Sequence, residues 1–142
     1  MTQNFEKLLS PGTIGKVKIR NRIVMPPMNR NYATNDGVAT RRLIETFVAP
    51  ARGGVGLIIV DATLVHPSGR SFYQQLGIYH DRHIAGLNEL ALAVKAWGSR
   101  IAIQLHHAGR QASHHITGME TVAPSAVPCP IKGGSPRELT IE

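Results

Sequence analysis

The sequence predicts an α/β fold built on a parallel sheet, and two observations lead to this prediction. Segments typical of strands and helices alternate along the 142 residues in the order strand, helix, strand, helix, strand, with short helix-to-strand connections. The clearest strand, "VGLIIVDATLV" at 55–65, is almost continuously apolar and β-branched, as in parallel strands that are covered on both faces. We therefore expect one domain over residues 1–142, with about three βα units behind an N-terminal hairpin.

Two short strands precede the first helix. In "KVKIR", residues 16–20, cations alternate with Val17 and Ile19, which predicts an antiparallel hairpin strand with one exposed face. The segment "RIVMP", residues 22–26, predicts a second, more buried strand, which the prolines at 26 and 27 end.

Two amphipathic helices follow. The first is predicted to begin at Thr40 and to end at Gly53 and Gly54, and Pro50 should bend its last turn. Its apolar face, at the spacing i, i+3, i+4 and i+7, consists of Ile44, Phe47, Val48 and Ala51. The second helix should end at Gly98, with an inner face of Ile84, Leu87, Ala91 and Val94.

The last strand of the sheet is "RIAIQL", residues 100–105. The segment "TVAPSAVPCPIKGGSP" then predicts a long loop, because it is rich in Pro and Gly. In "SPRELTIE", residues 135–142, the start of a third helix is predicted either at a Ser followed by Pro and, three positions on, by Glu, or at Thr140 with Glu142 in the first turn.

This order of elements leaves one face of the sheet bare. Two right-handed crossovers place both helices on the same face, so further elements must cover the other face with helices or curl the sheet into a barrel. Neither "MPPMNRN" nor "DATLVHPSG" contains the glycine-rich turn of a dinucleotide-binding sheet. A barrel is therefore favoured, with the hairpin closing its lower end.

The composition excludes several classes of protein. The single cysteine, Cys129, excludes an internal disulfide, and no apolar run approaches the roughly 18 residues of a membrane span, so we expect a cytoplasmic location. The net charge is +7, but the cations are scattered and no aromatic stacking platform accompanies them. We therefore expect no nucleic-acid or membrane partner.

In a barrel, the active site lies at the carboxyl ends of the strands. Those ends are residues 26–29, 61–63 and 104–110. Gln104 is unusual there, because its amide can pair with a flat heterocycle that offers both a donor and an acceptor. The alternative is that Gln104 bonds a neighbouring backbone group.

Four of the seven histidines lie in "IQLHHAGRQASHH", residues 103–115. His106 and His107 are neighbours on a strand and point to opposite faces, so they cannot hold one metal ion without an intervening turn, and we predict no metal site. His106 is expected to face the barrel mouth beside a substrate, and Asp61 to pair with a cation such as Arg110. We expect His66, His80 and His83 to lie in loops or to cap helices.

Several segments together resemble the opening of the Old Yellow Enzyme family, which includes FMN-dependent NADH:flavin oxidoreductases, ene-reductases and 2,4-dienoyl-CoA reductases. They are, in the family's order and spacing, "IRNRIVMPPMNRNYATNDG", "ARGGVGLIIVDATLVHPSGR", "LGIYHDRHIAGLNELALAVKAWGSRIAIQLHHAGRQ", "APSAVP" and "PRELTIE". The combination of "QLHHAGR" with "GGVGLIIVDAT" is far more specific than either motif alone. The similarity covers essentially the whole chain.

The resemblance implies a (β/α)8 TIM barrel with FMN at its mouth, of which this chain is the N-terminal portion. The positions that match the family's flavin contacts are Pro26, Pro27, Met28, Asn29, Ala62 and Gln104. The prolines and Met28 would run along the flavin ring, Asn29 and Ala62 would lie at its N5 and O4 edge, and Gln104 would bind its pyrimidine side. Asn29 departs from the Thr or Cys often found at its position. NADH or NADPH would reduce FMN, which would pass hydride to an electron-poor alkene.

The resemblance leaves the catalytic residues undetermined. In the family, the proton donor and the phosphate clamp lie on later strands, and an iron–sulfur cluster or FAD lies in C-terminal parts, so these 142 residues alone are expected to bind FMN weakly or not at all and to be inactive. Two alternatives stay open. The chain could be a non-catalytic half-barrel, or a subunit of a split enzyme that pairs with a complementary chain or with itself through its strand edges. It could also be a basic module that binds nucleic acid.

Overall fold

The computed structural model describes residues 5–141. A short helix, α1 (Glu6–Leu9), leads into an antiparallel hairpin of β1 (Gly12–Ile14) and β2 (Val17–Ile19). The hairpin strand expected at 16–20 is therefore confirmed. Within the described residues, no helix combines the length and the apolar character that a membrane crossing requires.

The central sheet is parallel, in the order β3 (Val24–Met25), β4 (Leu57–Leu64) and β5 (Arg100–His106). Helix α2 (Arg41–Arg52) connects β3 to β4, and helix α3 (Ile84–Lys95) lies between β4 and β5. The predicted alternation of strands and helices is confirmed. The strand expected at 22–26 forms, but it is shorter and more exposed than predicted, because only two residues pair and Val24 is 41% exposed.

Helix α2 forms where its pattern predicts. The Thr40 hydroxyl accepts a hydrogen bond from the Leu43 N–H at 3.2 Å and caps the first turn. Gly54, with φ +100°, follows the last turn in the left-handed region that glycine favours. Pro50 lies inside the last turn of the helix. The four predicted inner residues, Ile44, Phe47, Val48 and Ala51, are all buried.

Helix α3 presents most of its expected inner face, since Val94 is buried and Leu87 packs against the core, but its first residue is exposed. Leu90 and Val94 are buried at 1% and 0% exposure, whereas Ile84 is 63% exposed. The reason lies just before the helix, where a 3₁₀ turn (Asp81–His83) puts the His83 side chain, 1% exposed, into the interior position. The expected place of Ile84 on the inner face is therefore wrong.

Both helices pack on the same face of the sheet, as the two crossovers predict, and α2 also contacts α3. The core between helices and sheet contains Leu43, Ile44, Phe47, Val48, Ile58, Val60, Leu90 and Val94. On the opposite face, Ala102 and Gln104 are exposed. We call this uncovered side of the central sheet the open face.

The C-terminal part is extended rather than helical. A short helix, α4 (His114–Thr117), precedes two paired parallel strands, β6 (Val122–Ala123) and β7 (Arg137–Glu138), with a long loop between them. The helix start predicted at Ser135 is wrong, because the N–H groups of Arg137 and Leu139 donate to the carbonyls of Thr121 and Ala123 and hold this segment as a strand. A start at Thr140 involves Glu142, which lies outside the described residues.

Candidate functional site

The carboxyl ends of β4 and β5 lie side by side, and a bulge decides which side chains share the open face. Val60 pairs with Ile103, and both belong to the helix-covered core. The register then shifts at Asp61, so that Ala62 pairs with Gln104. Without this shift, Ala62 would lie on the helix side, two residues after Val60. The bulge therefore sets the small side chain of Ala62 beside Gln104.

The residue at the bulge, Asp61, anchors the end of β3. Its carboxylate accepts hydrogen bonds from the Arg30 backbone N–H at 2.9 Å and from the Arg30 guanidinium at 2.5 Å. The two side chains are 5% and 15% exposed, and the guanidinium also lies 4.6 Å from the centre of the Phe47 ring. The same guanidinium donates to the Met28 carbonyl at 3.1 Å. Asp61 thus holds the chain segment that follows β3.

Asp61 forms an ion pair with an arginine, as predicted, but the partner is Arg30 and not Arg110. Arg110 instead donates to the carbonyl of Pro128 at 3.3 Å. Arg30 is available to Asp61 because it follows β3, which is the strand next to β4 in the sheet. Arg110 lies in a 3₁₀ turn (Gly109–Gln111) beyond the end of β5.

The segment at 26–29 is open to solvent. Met28 is 55% exposed, and Pro26 and Asn29 are exposed as well. Two positions on, Asn31 has φ +56°, a left-handed conformation that asparagine tolerates, and its buried Oδ1 has no hydrogen-bond partner within residues 5–141.

Gln104 is exposed, and its amide makes no hydrogen bond within the described part of the chain. The alternative in which this amide bonds a neighbouring backbone group is therefore not what the structure contains. A flat ring that carries both donors and acceptors could pair with the free amide of Gln104, next to the small side chain of Ala62. The residues present are thus compatible with the isoalloxazine ring of FMN.

A buried glutamine, which no motif of the sequence indicates, joins this site. Gln75 is 2% exposed, and its Nε2 donates to the Ala62 carbonyl at 3.0 Å and lies 3.2 Å from Nδ1 of His106. Burial lowers the pKa of the half-buried His106. A polar residue in the loop "SFYQQLG" carries no local signal of burial, so only the folded chain could reveal it.

His107 faces away from this arrangement and joins two loops. Its Nδ1 accepts the Gly109 N–H at 3.0 Å, and its Nε2 lies 3.0 Å from the Ser68 hydroxyl, which is 2.7 Å from Nδ1 of His66. Gly69 packs so closely here that a Cβ would lie 2.5 Å from the His107 ring. Burial, and then the neighbouring His66 and His106 rings, lower the pKa of His107.

His66 and His80 cap turns, as expected. Nδ1 of His66 accepts the Ser68 N–H at 3.2 Å, and Nδ1 of His80 accepts the Arg82 N–H at 3.1 Å. His83 is buried at the start of α3. Among residues 5–141, no group of three or more His, Cys, Asp or Glu side chains is arranged to hold a metal ion.

Comparison with known proteins gives a family match over almost the whole chain. The sequence model of the NADH:flavin oxidoreductase / NADH oxidase family matches residues 7–140. The chain is 52% identical over 140 residues to an NADH oxidase of Thermoanaerobacter brockii, covering 97% of this chain and 22% of that protein. It is 46% identical over 138 residues to an NADPH dehydrogenase of Bacillus velezensis, covering 96% of this chain and 40% of that protein. The chain thus spans about a fifth to two fifths of the length of these relatives.

Solved structures agree with the sequence comparison. A 2-naphthoyl-CoA reductase in complex with 2-naphthoyl-CoA matches with a TM-score of 0.89 and 30% identity, over 95% of this chain and 23% of that chain. Morphinone reductase in complex with tetrahydroNAD matches with a TM-score of 0.84 and 32% identity, over 94% and 41%. An old yellow enzyme homologue from Zymomonas mobilis matches with a TM-score of 0.83 and 31% identity, over 95% and 40%. The predicted fold class, the N-terminal part of a (β/α)8 barrel, is therefore confirmed.

Proposed function

The chain belongs to the NADH:flavin oxidoreductase / NADH oxidase family, and from this premise we propose that it forms the N-terminal part of the FMN barrel of an NAD(P)H oxidoreductase that reduces activated carbon–carbon double bonds. The observation that carries the proposal is the uncommitted Gln104 amide, which the bulge in β4 sets beside Ala62 on the open face. The relatives named NADH oxidase and NADPH dehydrogenase, and the morphinone reductase complex with tetrahydroNAD, support a nicotinamide reductant.

The residues that we propose to hold the flavin are Pro26, Pro27, Met28, Asn29, Ala62 and Gln104. The first three would lie along the ring through their backbone, Asn29 and Ala62 would border its N5 and O4 edge, and Gln104 would bind its pyrimidine side. The exposure of segment 26–29 and the free amide of Gln104 support this assignment. FMN, when bound, supplies the hydride-transfer chemistry that no side chain can supply.

The chain's own residues contribute position rather than reactivity. Asp61, through Arg30, keeps the segment 26–29 at the end of β3 and leaves its surface free. His106 brings a half-buried imidazole to the end of β5, where we expect it to contact the substrate. The proton donor and the phosphate clamp are proposed to belong to strands outside residues 1–142.

The proposed substrate is a small electron-poor alkene. The complex of a related reductase with 2-naphthoyl-CoA supports a conjugated acyl compound as one such class. A complementary half-barrel chain or self-association would cover the open face and its edge strands, and these partners, like a cytoplasmic location, stay predictions.

The test uses the native gene product that contains residues 1–142, purified and identified by its intact mass. We expect it to carry flavin absorbance and to couple NADH or NADPH oxidation to the reduction of 2-cyclohexenone. A product with neither flavin nor enone reduction would contradict the proposed function.

One substitution tests the cofactor assignment. Gln104→Leu should weaken FMN binding roughly thirtyfold, because it removes two hydrogen bonds of about 1 kcal/mol each. Gln111→Leu makes the same change at an exposed position in the turn after β5 and should leave FMN affinity unchanged. Equal affinities in the two variants, measured by flavin fluorescence titration, would remove Gln104 from the site.

A further inference from the structure

The amide of Gln75 has an orientation that its partners determine. Its Oε1 accepts the backbone N–H of Ser71 at 3.2 Å, and its Nε2 donates to the carbonyl of Ala62 at 3.0 Å. A carbonyl cannot donate and a backbone N–H cannot accept, so the oxygen and nitrogen of this amide cannot be exchanged. The second proton on Nε2 is therefore free to point at Nδ1 of His106, 3.2 Å away.

This contact selects one protonation state of His106. A donor directed at Nδ1 needs an unprotonated nitrogen there, so the ring proton must lie on Nε2. Within residues 5–141, no carboxylate bonds the His106 ring, and the ring of His107 is a titratable neighbour whose own pKa His106 helps to lower. Burial also lowers the pKa of His106 and so favours the neutral imidazole that this contact requires.

The other nitrogen of the ring is uncommitted. Nε2 of His106 has no hydrogen-bond partner within the described residues. His106 lies two positions after Gln104 on β5, and alternation along a strand places both side chains on the open face. Gln75 thus contacts Nδ1 of the His106 ring, and Nε2 of the same ring is available to a ligand.

We propose that Gln75 is a positioning residue that holds His106 as a neutral imidazole protonated on Nε2, so that this N–H donates to a carbonyl oxygen of a ligand on the open face. The identity of the ligand rests on the proposed function. The protonation state does not, because it follows from the contacts of Gln75 alone.

The experiment is ¹⁵N NMR of the histidine rings in the native gene product that contains residues 1–142, labelled with ¹⁵N-histidine, between pH 5 and pH 8. In the unsubstituted chain, we expect His106 to show a protonated Nε2 and an unprotonated Nδ1 at pH 7.5. Gln75→Met keeps the volume and removes both donors, so both tautomers of His106 should become populated. Gln75→Glu replaces the donor by an acceptor, which should favour a proton on Nδ1 and raise the pKa of His106.

Three comparisons separate positioning from a general structural effect. Gln111→Met makes the same change at an exposed site and should leave His106 unaltered. The rings of His66 and His107 report on the fold in every sample, and they should keep their tautomers in the Gln75 variants. A merely structural Gln75 would disturb all three rings together, and the shift of the His106 proton toward Nδ1 would not be larger in Gln75→Glu than in Gln75→Met.

The outcomes are decisive even where a variant does not fold. An Nδ1-protonated or rapidly averaged His106 in the unsubstituted chain would overturn the proposal by itself. Unchanged tautomers in Gln75→Met and Gln75→Glu would also overturn it. A product without flavin or enone reduction would contradict the proposed function and leave the tautomer result standing, so the two failures are distinguishable.

Discussion

At the scale of single residues, Asp61 links the ends of two strands. At the bulge, Asp61 is not paired with a residue of β5. Its carboxylate accepts two hydrogen bonds from Arg30 and so links β4 to the segment after β3. Breaking a buried ion pair by removing one partner leaves the other charge uncompensated, which costs far more than losing an exposed pair. Asp61 should therefore matter for both stability and the shape of the candidate site.

The first prediction concerns this pair. Asp61→Ala should lower the free energy of unfolding by about 3–5 kcal/mol, because Arg30 would keep a mostly buried charge without a partner. Glu45→Ala removes the exposed partner of Arg41 and should cost no more than about 0.5 kcal/mol. Urea unfolding of both variants checks this, and equal losses would show that the Arg30 pair does not stabilise the fold.

The second prediction concerns pH. The pKa values of His106 and His107 lie below the usual 6.5 in the folded chain, so the unfolded chain binds more protons as the pH falls through this value. Stability should be constant above pH 7.5 and should decline from about pH 7 downward, as the unfolded histidines become protonated before the folded ones. Urea midpoints between pH 5 and pH 8 measure this.

Two variants test whether His107 causes the decline in stability at lower pH. His107→Gln should flatten the decline, because it removes one ring that folding keeps neutral. His115→Gln, at an exposed position, should leave the slope as it is. A slope that both variants leave unaltered would mean that other groups control stability in this range.

At the scale of elements, strong local signals predicted the inner face of α2 correctly, and weaker ones misplaced one residue of α3, Ile84. In α2, the Thr40 cap, the apolar spacing and the two terminal glycines all agree with the packing. In α3, apolar residues surround much of the helix, and Ile84 and Leu92 are exposed while Leu90 is buried. Periodicity alone cannot choose between such faces, because the choice depends on where the preceding turn places the first residue.

The third prediction uses two leucines of α3 that lie two positions apart. Leu90→Ala should destabilise the chain by about 2–5 kcal/mol, because it leaves a cavity between α3 and the sheet. Leu92→Ala makes the same change where the side chain is 60% exposed and should cost less than about 0.5 kcal/mol. Thermal or urea unfolding checks both values. A larger loss for Leu92 would mean that the helix presents its other face to the core.

The strand β7 shows how tertiary pairing overrides a local signal. The sequence from Ser135 carries good helix-start residues, yet its backbone N–H groups find carbonyl partners beside β6. A helix start stabilises by about 1 kcal/mol, which a few long-range hydrogen bonds and a buried Pro136 can outweigh.

At the scale of the whole molecule, the helices cover one face of the sheet and leave the other open. Val24 and Leu105, at the strands that form the two edges of the central sheet, are 41% and 66% exposed. In the relatives, the matched part is only about a fifth to two fifths of the chain. The residues proposed for the flavin ring therefore line one side of a site whose other sides must come from additional strands.

The fourth prediction concerns residues 1–142 expressed by themselves. We expect no saturable quenching of flavin fluorescence at micromolar FMN and no NAD(P)H-dependent enone reduction, because one edge of the ring provides few of the contacts that cofactor binding requires. A yellow, stoichiometric complex of these residues with FMN would contradict this expectation and would place a complete site within them.

The sequence by itself determined the α/β class, the position of α2, the three parallel strands and the family, because apolar periodicity, capping residues and motif order are local or nearly local properties. It also indicated the open face, since crossover handedness follows from the order of elements. Only the tertiary structure decided that Asp61 pairs with Arg30, that a bulge sets Ala62 beside Gln104, and that Gln75 contacts His106. The physical reason is that each of these contacts joins residues distant in sequence, and no local pattern records which of several polar groups the folded chain brings within 3 Å or so of one another.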